Sequence, residues 1–265
     1  MPESDDLALL ITAAQEAGRI AAGHFGHEPA QWDKTEGQGP VSVADIEIDR
    51  MLRDLLLRAR PGFGWLSEET PDDRARLGLR DVFVVDPIDG TRAFLAGQKS
   101  FAHALAIVRD GAVVAGVVHL PMLELTYSAQ RGAGAWLNAR PLTAPPADRL
   151  GGARVLTGRA QLASGLWPGG VPPVVPHFRP SLAWRLCLVA EGQFDATLTL
   201  RDTWHWDIAA ASLIASEAGV SVSDRCGCAL RFNVARPMSP GLVAAPAGLH
   251  AQFITRLHPG PPTHP

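Results

Sequence analysis

A short apolar run that ends in two closely spaced aspartates constrains this chain more than any other feature. Residues 82–85 (Val-Phe-Val-Val) are apolar and mostly β-branched, which predicts a short buried strand. Residues 86–91 then read Asp-Pro-Ile-Asp-Gly-Thr. Because proline has no amide hydrogen for a sheet ladder, we expect Pro87 to end this strand. Asp86 and Asp89 would then leave the sheet edge together on a tight turn.

This predicted turn carries the groups that a metal-dependent phosphatase needs. Two carboxylates and a free carbonyl are hard oxygen ligands of the kind that Mg²⁺ prefers. Gly90 lets backbone amides approach an anion, and Thr91 is predicted to begin one helical turn whose amides favour phosphate. An ordinary capped turn is the alternative, since Asp, Pro and Gly are common turn residues. We favour the metal site because these six residue types are improbable in this order by chance in a chain of this length.

Composition narrows the class of protein. The 265 residues suffice for one large domain or two small ones, and 46% hydrophobic with 19% charged residues is typical of globular proteins. A net charge of −3 without a Lys/Arg run argues against a nucleic-acid polymer as partner. The acidic start lacks the features of a signal peptide, and no uncharged apolar run reaches the roughly 18 residues of a membrane span. Three cysteines, an odd and sparse set, favour a reducing cytoplasm, and Cys226-Gly-Cys228 is predicted to form a turn rather than a metal site.

The hydrophobic pattern predicts helices and strands in layers. In the first half we expect helices at 5–25 and 43–60, and strands at 63–66, 82–85, 102–109, 112–120, 125–129 and 135–137. A proline-rich segment at 141–148 marks the predicted boundary between an N-terminal half, 1–145, and a C-terminal half, 146–265. In the second half we expect strands at 154–156, 196–200, 220–223 and 242–244, and helices at 182–191, 206–218 and 249–257. This order predicts an α+β or α/β layered sandwich.

Three other acidic residues stand at the ends of predicted elements. Asp45 lies in the first turn of the second helix, Glu68 follows a strand beside Glu69, and Asp207 opens the helix at 206–218. Taken alone, each has a simpler explanation. Acidic residues in a first helical turn stabilise the helix dipole, and Glu68 would be expected in a solvated loop.

Taken together, these segments resemble the inositol monophosphatase superfamily of magnesium-dependent, lithium-sensitive phosphatases over nearly the whole chain. The matching segments are Pro-Val-Ser-Val-Ala-Asp at 40–45, Trp-Leu-Ser-Glu-Glu at 65–69, the motif at 86–91, and Trp-Asp-Ile-Ala-Ala at 206–210 with Glu-Ala-Gly at 217–219. The resemblance implies a five-layer αβαβα sandwich of the inositol monophosphatase and fructose-1,6-bisphosphatase type. It also implies a homodimer and a site between the two halves of the chain.

The resemblance implies a ligand set for two or three Mg²⁺ ions. Glu68, Asp86 and the Ile88 carbonyl would bind the first ion, and a third, weaker ion would lie near Glu68. The second ion would be bound by Asp86, Asp89 and Asp207. Asp86 would bridge the two sites, so its removal should be the most damaging change.

The resemblance also implies roles for the residues around the phosphate. Thr91 and Asp45 would form a hydrogen-bonded pair that orients the attacking water and accepts its proton. The amides of Gly90 and Thr91 would meet phosphate oxygens. Lys34 and the loop at 35–39 align with a segment that closes over the site in relatives, the alternative being an exposed linker. His205 either lines the site or packs at the start of its helix.

The substrate-contacting positions differ from those of the inositol enzymes. A Glu that those enzymes carry seven residues before the helix-opening Asp is Leu200 here, and their Gly-Thr/Ser-Ala segment is Pro-Ser-Leu, with Ser181 in the middle. Residues 89–94 and 188–195 look more like the bacterial 3′(2′),5′-bisphosphate nucleotidases. We therefore expect 3′-phosphoadenosine 5′-phosphate, whose second phosphate could pair with the following arginines: Arg179, Arg185 and Arg201.

Other substrates and one other class of protein stay open at this point. The alternative substrates are inositol 1-phosphate, histidinol phosphate and fructose 1,6-bisphosphate, all small phosphorylated metabolites. A catalytically silent binding or regulatory protein is the non-enzyme alternative, although such a protein would be expected to lose ligands and this sequence retains the whole set.

Overall fold

Helices cover and separate two β-sheets in the computed structural model, which describes residues 4–27, 29–33 and 39–258. The helices are α1 (Ser4–His24), α2 (Val43–Ala59), α3 (Thr91–Leu95), α4 (Leu182–Ala190), α5 (His205–Glu217) and α6 (Ala247–Leu257). The strands of the first half are β1 (Gln31–Asp33), β2 (Pro40–Ser42), β3 (Gly64–Ser67), β4 (Asp81–Asp89), β5 (Ala102–Arg109), β6 (Ala112–Leu120), β7 (Leu125–Gln130), β8 (Gly134–Leu137) and β9 (Arg140–Leu142). The strands of the second half are β10 (Arg154–Leu156), β11 (Val175–His177), β12 (Ala196–Thr199), β13 (Thr203–Trp204), β14 (Ser221–Ser223), β15 (Met238–Ser239) and β16 (Leu242–Ala245).

The larger sheet has seven strands in the order β3-β4-β5-β6-β7-β8-β9. Strands β3 and β4 run parallel, and every later neighbour is antiparallel. Alternate side chains of β4 point to opposite faces, so Phe83 and Val85 pack against α1 and α2, while Val82 and Val84 face α4 and α5. Both faces of this sheet are therefore buried, which explains the continuous apolar run in the sequence.

The second sheet completes a five-layer arrangement. Its five strands follow the order β11-β10-β12-β16-β14, and two further short pairs join β1 with β2 and β13 with β15. One face of this sheet shares the core of α4 and α5, and the other packs on α6 through Leu249 and Phe253. The helix α5 approaches the larger sheet so closely that a Cβ on Gly116 would lie 2.7 Å from the Ala210 carbonyl oxygen. The layers are α1/α2, large sheet, α4/α5, small sheet and α6, as predicted.

Most predicted elements form within two residues of their expected ends, and the hairpin of β5 and β6 has the predicted bounds. The sequence patterns missed the shortest strands, β1, β2, β9, β11, β13 and β15, which have only two or three residues each. The boundary near residue 145 stays a prediction, because residues from both halves share one core around α4 and α5.

The expectation that Pro87 ends its strand is wrong. Strand β4 continues to Asp89, and its register with β5 shifts between Asp86 and Asp89. A β-bulge at this point accommodates the missing proline amide while the chain stays in the sheet. The two aspartates therefore occupy the end of a central strand rather than a turn beyond the sheet, and both are buried.

Candidate active site

Three acidic side chains from separate parts of the chain meet at one edge of the larger sheet. Carboxylate oxygens of Glu68, Asp86 and Asp207, here called the acidic cluster, all lie within 4.8 Å of one another. Because β3 and β4 are parallel neighbours with Ser67 opposite Val85, the residues that follow, Glu68 and Asp86, lie side by side. The first turn of α5 brings Asp207 to them.

The electrostatics of the acidic cluster favour a bound cation. Asp86 is buried, and its Oδ1 has no hydrogen-bond partner within the described part of the chain. Burial raises the pKa of Asp86 well above its ordinary value, and the nearby charges of Glu68, Asp89 and Asp207 raise it further. A buried carboxylate oxygen needs a partner, and this all-oxygen donor set fits Mg²⁺.

Asp89 connects the two halves of the chain beside the acidic cluster. Its Oδ2 accepts hydrogen bonds from the Ser181 hydroxyl at 2.6 Å and from the Ala183 amide at 2.7 Å. Burial raises the pKa of Asp89 to about 6, although these hydrogen bonds oppose the shift. The side chain lines the same cleft of about 350 Å³ as the acidic cluster.

The structure brings Thr91 and Asp45 together as predicted. Thr91 Oγ1 lies 3.4 Å from Asp45 Oδ1 and 3.1 Å from the Ile88 carbonyl oxygen. The other carboxylate oxygen of Asp45 accepts hydrogen bonds from the amide and hydroxyl of Ser42, which caps α2. The capping explanation and the catalytic one are therefore compatible, because each uses a different oxygen of Asp45.

Gly90 forms the turn between β4 and α3 in the left-handed region, at φ +100°. Such a backbone favours glycine, and the α3 start it creates lies in the wall of the cleft with Thr91. Both residues therefore line the cleft, and their contact with phosphate stays a prediction.

Asp49 was not predicted as a site residue, yet its hydrogen bonds fix the segment that carries Glu68. The two oxygens of Asp49 accept hydrogen bonds from the hydroxyls of Ser67 and Thr70, on either side of Glu68. Asp49 lies one turn after Asp45 on the same face of α2 and is buried. The available signal was a charged residue within the apolar stripe of an amphipathic helix, where an unpaired carboxylate would be costly.

Three arginines line a second cleft of about 350 Å³ that adjoins the acidic cluster and shares Glu68 and Asp207 with it. We call it the arginine pocket, after Arg92, Arg185 and Arg201. Arg185 and Arg201 were predicted site residues, whereas Arg92 was missed although it follows Thr91 directly. The sequence feature that could have identified Arg92 was its position next to the predicted metal-binding motif.

Arg185 is buried in the wall of the arginine pocket, and its side chain is fixed by contacts within the protein. Only 9% of the residue is exposed, and its guanidinium donates hydrogen bonds to the carbonyl oxygens of Arg179 and Pro180. The guanidinium also lies 4.5 Å from the centre of the Phe178 ring. Burial lowers the pKa of Arg185, and the charge of Asp89 opposes that shift. These contacts fix the position of the charge beside the acidic residues.

Three of the possible substrate contacts, His205, Arg179 and Ser181, do not line either cleft. His205 does not line either cleft, because it is buried against Phe232 with ring centres 5.0 Å apart. Arg179 is also absent from both linings, and its guanidinium bonds to the Phe178 carbonyl oxygen. Ser181 caps α4 and bonds to Asp89, so its hydroxyl is occupied within the protein.

Other sequence expectations have simpler outcomes. Lys34 and residues 35–38 lie outside the described residues, although Gly39 lines the cleft. Leu200 is buried in the core beneath the second sheet. The amides of Cys226 and Cys228 both bond to Asp224 in a turn, as predicted. Among the described helices, not one combines the length and apolar character that a membrane crossing requires.

Known proteins resemble this chain along nearly all of its length. The sequence profile of the inositol monophosphatase family matches residues 3–259. An inositol-1-monophosphatase from Rhizobium meliloti is 35% identical over 231 residues, which cover 83% of this chain and 85% of that protein. A histidinol-phosphatase from Mycobacterium tuberculosis is 32% identical over 272 residues, covering 97% of this chain and 99% of that protein.

A solved structure confirms the predicted fold. The Thermotoga maritima IMPase superposes with a TM-score of 0.82 and 26% identity, covering 96% of each chain. Four of the acidic residues predicted from the sequence, Glu68, Asp86, Asp89 and Asp207, converge on one cleft of this fold. This chain therefore belongs to the inositol monophosphatase family, whose members are metal-dependent phosphatases that hydrolyse phosphate monoesters.

Proposed function

We propose that the chain hydrolyses a small phosphate ester with the help of two or three Mg²⁺ ions held at the acidic cluster. The observation that carries this proposal is the buried Asp86 oxygen without a partner among the described residues, facing two further carboxylates. Glu68, Asp86 and the Ile88 carbonyl would hold one ion, and Asp86, Asp89 and Asp207 a second. Bound Mg²⁺ supplies a more acidic water and offsets the negative charge of phosphate.

Thr91 and Asp45 provide the proton-accepting side of the reaction. The Thr91 hydroxyl lies within reach of Asp45 Oδ1 and can donate its hydrogen to that oxygen. Its own lone pairs can then accept a hydrogen bond from the attacking water, which orients the water oxygen. Asp45 receives the proton through this hydroxyl, and the Ser42 hydrogen bonds keep its carboxylate in place. Amides at Gly90 and Thr91 would meet the phosphate oxygens.

The arginine pocket supports a substrate that carries a second anionic group. Arg92, Arg185 and Arg201 surround the space next to the acidic cluster, where the leaving group would lie. A second phosphate can accept hydrogen bonds from guanidinium groups in paired geometry. We therefore favour 3′-phosphoadenosine 5′-phosphate among the predicted substrates, and fructose 1,6-bisphosphate has the same requirement for a second anionic site.

The two substrates named for the relatives fit this pocket less well. Histidinol phosphate carries an ammonium group, for which the three arginines are unfavourable partners, although carboxylates such as that of Asp202 line the same pocket. Inositol 1-phosphate remains the second candidate, because an inositol-1-monophosphatase is 35% identical to this chain. The position where a carboxylate was expected to contact its ring hydroxyls is however Leu200, which is buried in the core and lines neither cleft.

Phosphate release from a panel of substrates tests this proposal. Purified protein with Mg²⁺ is offered 3′-phosphoadenosine 5′-phosphate, inositol 1-phosphate, histidinol phosphate and fructose 1,6-bisphosphate, and an Asp89→Asn variant serves as control. We expect release by the native protein, preference for the bisphosphates and loss of turnover in the variant. If no substrate releases phosphate, the proposal that the chain is a phosphatase is contradicted and the binding or regulatory alternative is favoured. Preference for inositol 1-phosphate would overturn the substrate assignment alone.

Lithium provides an independent check of the metal assignment. We expect millimolar Li⁺ to inhibit phosphate release, because a small cation would compete within the carboxylate site. Activity that is undiminished at high Li⁺ would count against the assignment. A homodimer and a location in the cytoplasm also stay predictions, which sedimentation and fractionation would test.

A further inference from the structure

The β-bulge between Asp86 and Asp89 faces a buried histidine on the next strand. Asp86 pairs with Ala104 and Asp89 pairs with Ala102, so Pro87 and Ile88 share His103 as their opposing residue. A bulge of this kind leaves part of the backbone without its usual ladder partner. The Pro87 carbonyl belongs to this irregular stretch, and it lies between the two aspartates proposed to bind metal.

The side chain of His103 bonds to this carbonyl from the neighbouring strand. Its Nδ1 is hydrogen-bonded to the Pro87 carbonyl oxygen, and its ring packs edge-on against Phe101 with ring centres 6.0 Å apart. The ring is fully buried. Burial lowers the pKa of His103 to about 3, so the imidazole is neutral at ordinary pH. Because a carbonyl oxygen can only accept, Nδ1 must carry the hydrogen of this neutral ring.

The hydrogen bond acts on the one backbone angle of Pro87 that is free to vary. The pyrrolidine ring fixes φ of Pro87, so the direction of its carbonyl reports ψ alone. Holding that carbonyl therefore holds the peptide plane between Pro87 and Ile88. The Ile88 carbonyl and the side chains of Asp86 and Asp89 leave the backbone on either side of this plane.

We propose that His103 is a positioning residue of the metal centre, donating its Nδ1 hydrogen to Pro87 and thereby aiming the groups of Asp86, Ile88 and Asp89 at the cation. This inference rests on the proposed function for the statement that those groups bind metal. His103 itself lines neither cleft.

The simpler explanation is that His103 merely stabilises the core, and His119 provides a matched control for it. His119 lies directly opposite His103 on β6, with ring centres 6.2 Å apart, and it is also mostly buried. Its Nδ1 bonds to the Thr126 hydroxyl rather than to the bulge. Loss of His119 should therefore affect stability without reaching the metal ligands.

The test is Mg²⁺ binding by calorimetry, without substrate, in the native protein and three variants. His103→Leu removes the donor, His103→Asn keeps an N–H donor at the same number of bonds from the backbone, and His119→Leu is the control. We expect His103→Leu to weaken Mg²⁺ binding about tenfold or more, as for other residues that orient metal ligands. His103→Asn should restore most of the affinity, and His119→Leu should lower the melting temperature while leaving affinity unchanged.

Native affinity in His103→Leu, or equally weak binding in a folded His103→Asn, would overturn the inference. If His103→Leu does not fold, the native protein can be followed by ¹⁵N NMR of its histidines during Mg²⁺ addition. We expect the Nδ1–H resonance of His103 to shift on binding, and an unchanged resonance would overturn the inference. A native protein that binds no Mg²⁺ would contradict the proposed function itself, whereas Mg²⁺ binding that ignores His103 contradicts only this inference.

Discussion

The acidic cluster and the arginine pocket are built in different ways. On the acidic side, Glu68 and Asp86 extend from adjacent parallel strands, and their backbone positions are set by the register of the larger sheet. On the arginine side, Arg185 comes from α4 and Arg201 from the loop after β12, both in the second half of the chain. The sheet edge thus fixes Glu68 and Asp86 of the acidic cluster, while separate elements supply the groups proposed for specificity. Mutations on the two sides should consequently have separable effects.

Asp86→Asn should produce the largest effect on activity. It removes the ligand that both proposed ions share, and the loss of several kcal/mol of metal stabilisation corresponds to about a 10³-fold or greater fall in kcat/KM. The metal-free variant should melt at a higher temperature than the native protein, because a buried charge next to three other carboxylates disappears. Steady-state kinetics and metal-free thermal melts check both results. Retained activity would contradict the proposed role of Asp86.

Thr91→Val should reduce kcat by about 100-fold, the lower part of the range for loss of general acid–base assistance. The hydroxyl that connects the attacking water with Asp45 is lost, while the carboxylates of the acidic cluster remain. Mg²⁺ affinity measured by calorimetry should therefore stay near the native value. A matching loss of Mg²⁺ affinity would show that Thr91 supports the ligands instead of the proton transfer.

Arg185→Met tests the arginine side. The variant keeps an apolar stem beneath Phe178 but removes the charge, and a lost charge-assisted hydrogen bond of about 1.5–3 kcal/mol predicts a 10- to 100-fold rise in KM for a bisphosphate. Inositol 1-phosphate, which has no second anion, should show almost no change. Comparison of KM for the two substrates, with melting temperatures as the folding control, decides the question. Equal losses for both substrates would remove the basis for the anionic assignment.

Acidification should weaken the binding of Mg²⁺ by the smallest factor, up to about tenfold for each pH unit if one proton is displaced.

In the metal-free protein the pKa of Asp89 is raised from an ordinary 3.8 to about 6. The folded state therefore binds more protons than the unfolded state between these values. Its contribution to stability is fully present below pH 3.8 and is lost as the pH rises through about 6. As the pH rises through this window, the melting temperature of the metal-free protein should fall, and the stabilisation by Mg²⁺ should grow. A flat profile would contradict the raised pKa.

Sequence patterns predicted the acidic side of the site better than the arginine side. Asp45, Glu68, Asp86 and Asp207 each stand near the end of a predicted element, so local patterns locate them, and the fold brings the carboxylates of the last three together. The bulge was missed, because proline predicts the end of a strand unless a neighbour such as His103 supports the backbone. These contacts join residues distant in sequence, and no local pattern encodes them.

The arginine side depends on packing that the sequence does not display. Arg179, Arg185 and Arg201 could not be distinguished by position, yet α4 buries Arg185 at the cleft while Arg179 bonds to its own loop. His205 was ambiguous for the same reason, because Phe232, which covers it, lies in a distant loop. Side-chain direction within a loop or at a helix start follows from tertiary packing rather than local propensity.

Anomalous scattering from crystals grown with Mn²⁺ in place of Mg²⁺ tests the central claim most directly. We predict a peak bounded by the carboxylates of Glu68, Asp86 and Asp207, next to the Asp86 oxygen that has no partner among the described residues. The same crystals of Asp86→Asn should lose that peak. Saturating Mn²⁺ with no anomalous signal in the acidic cluster would contradict the metal-dependent mechanism proposed for this chain.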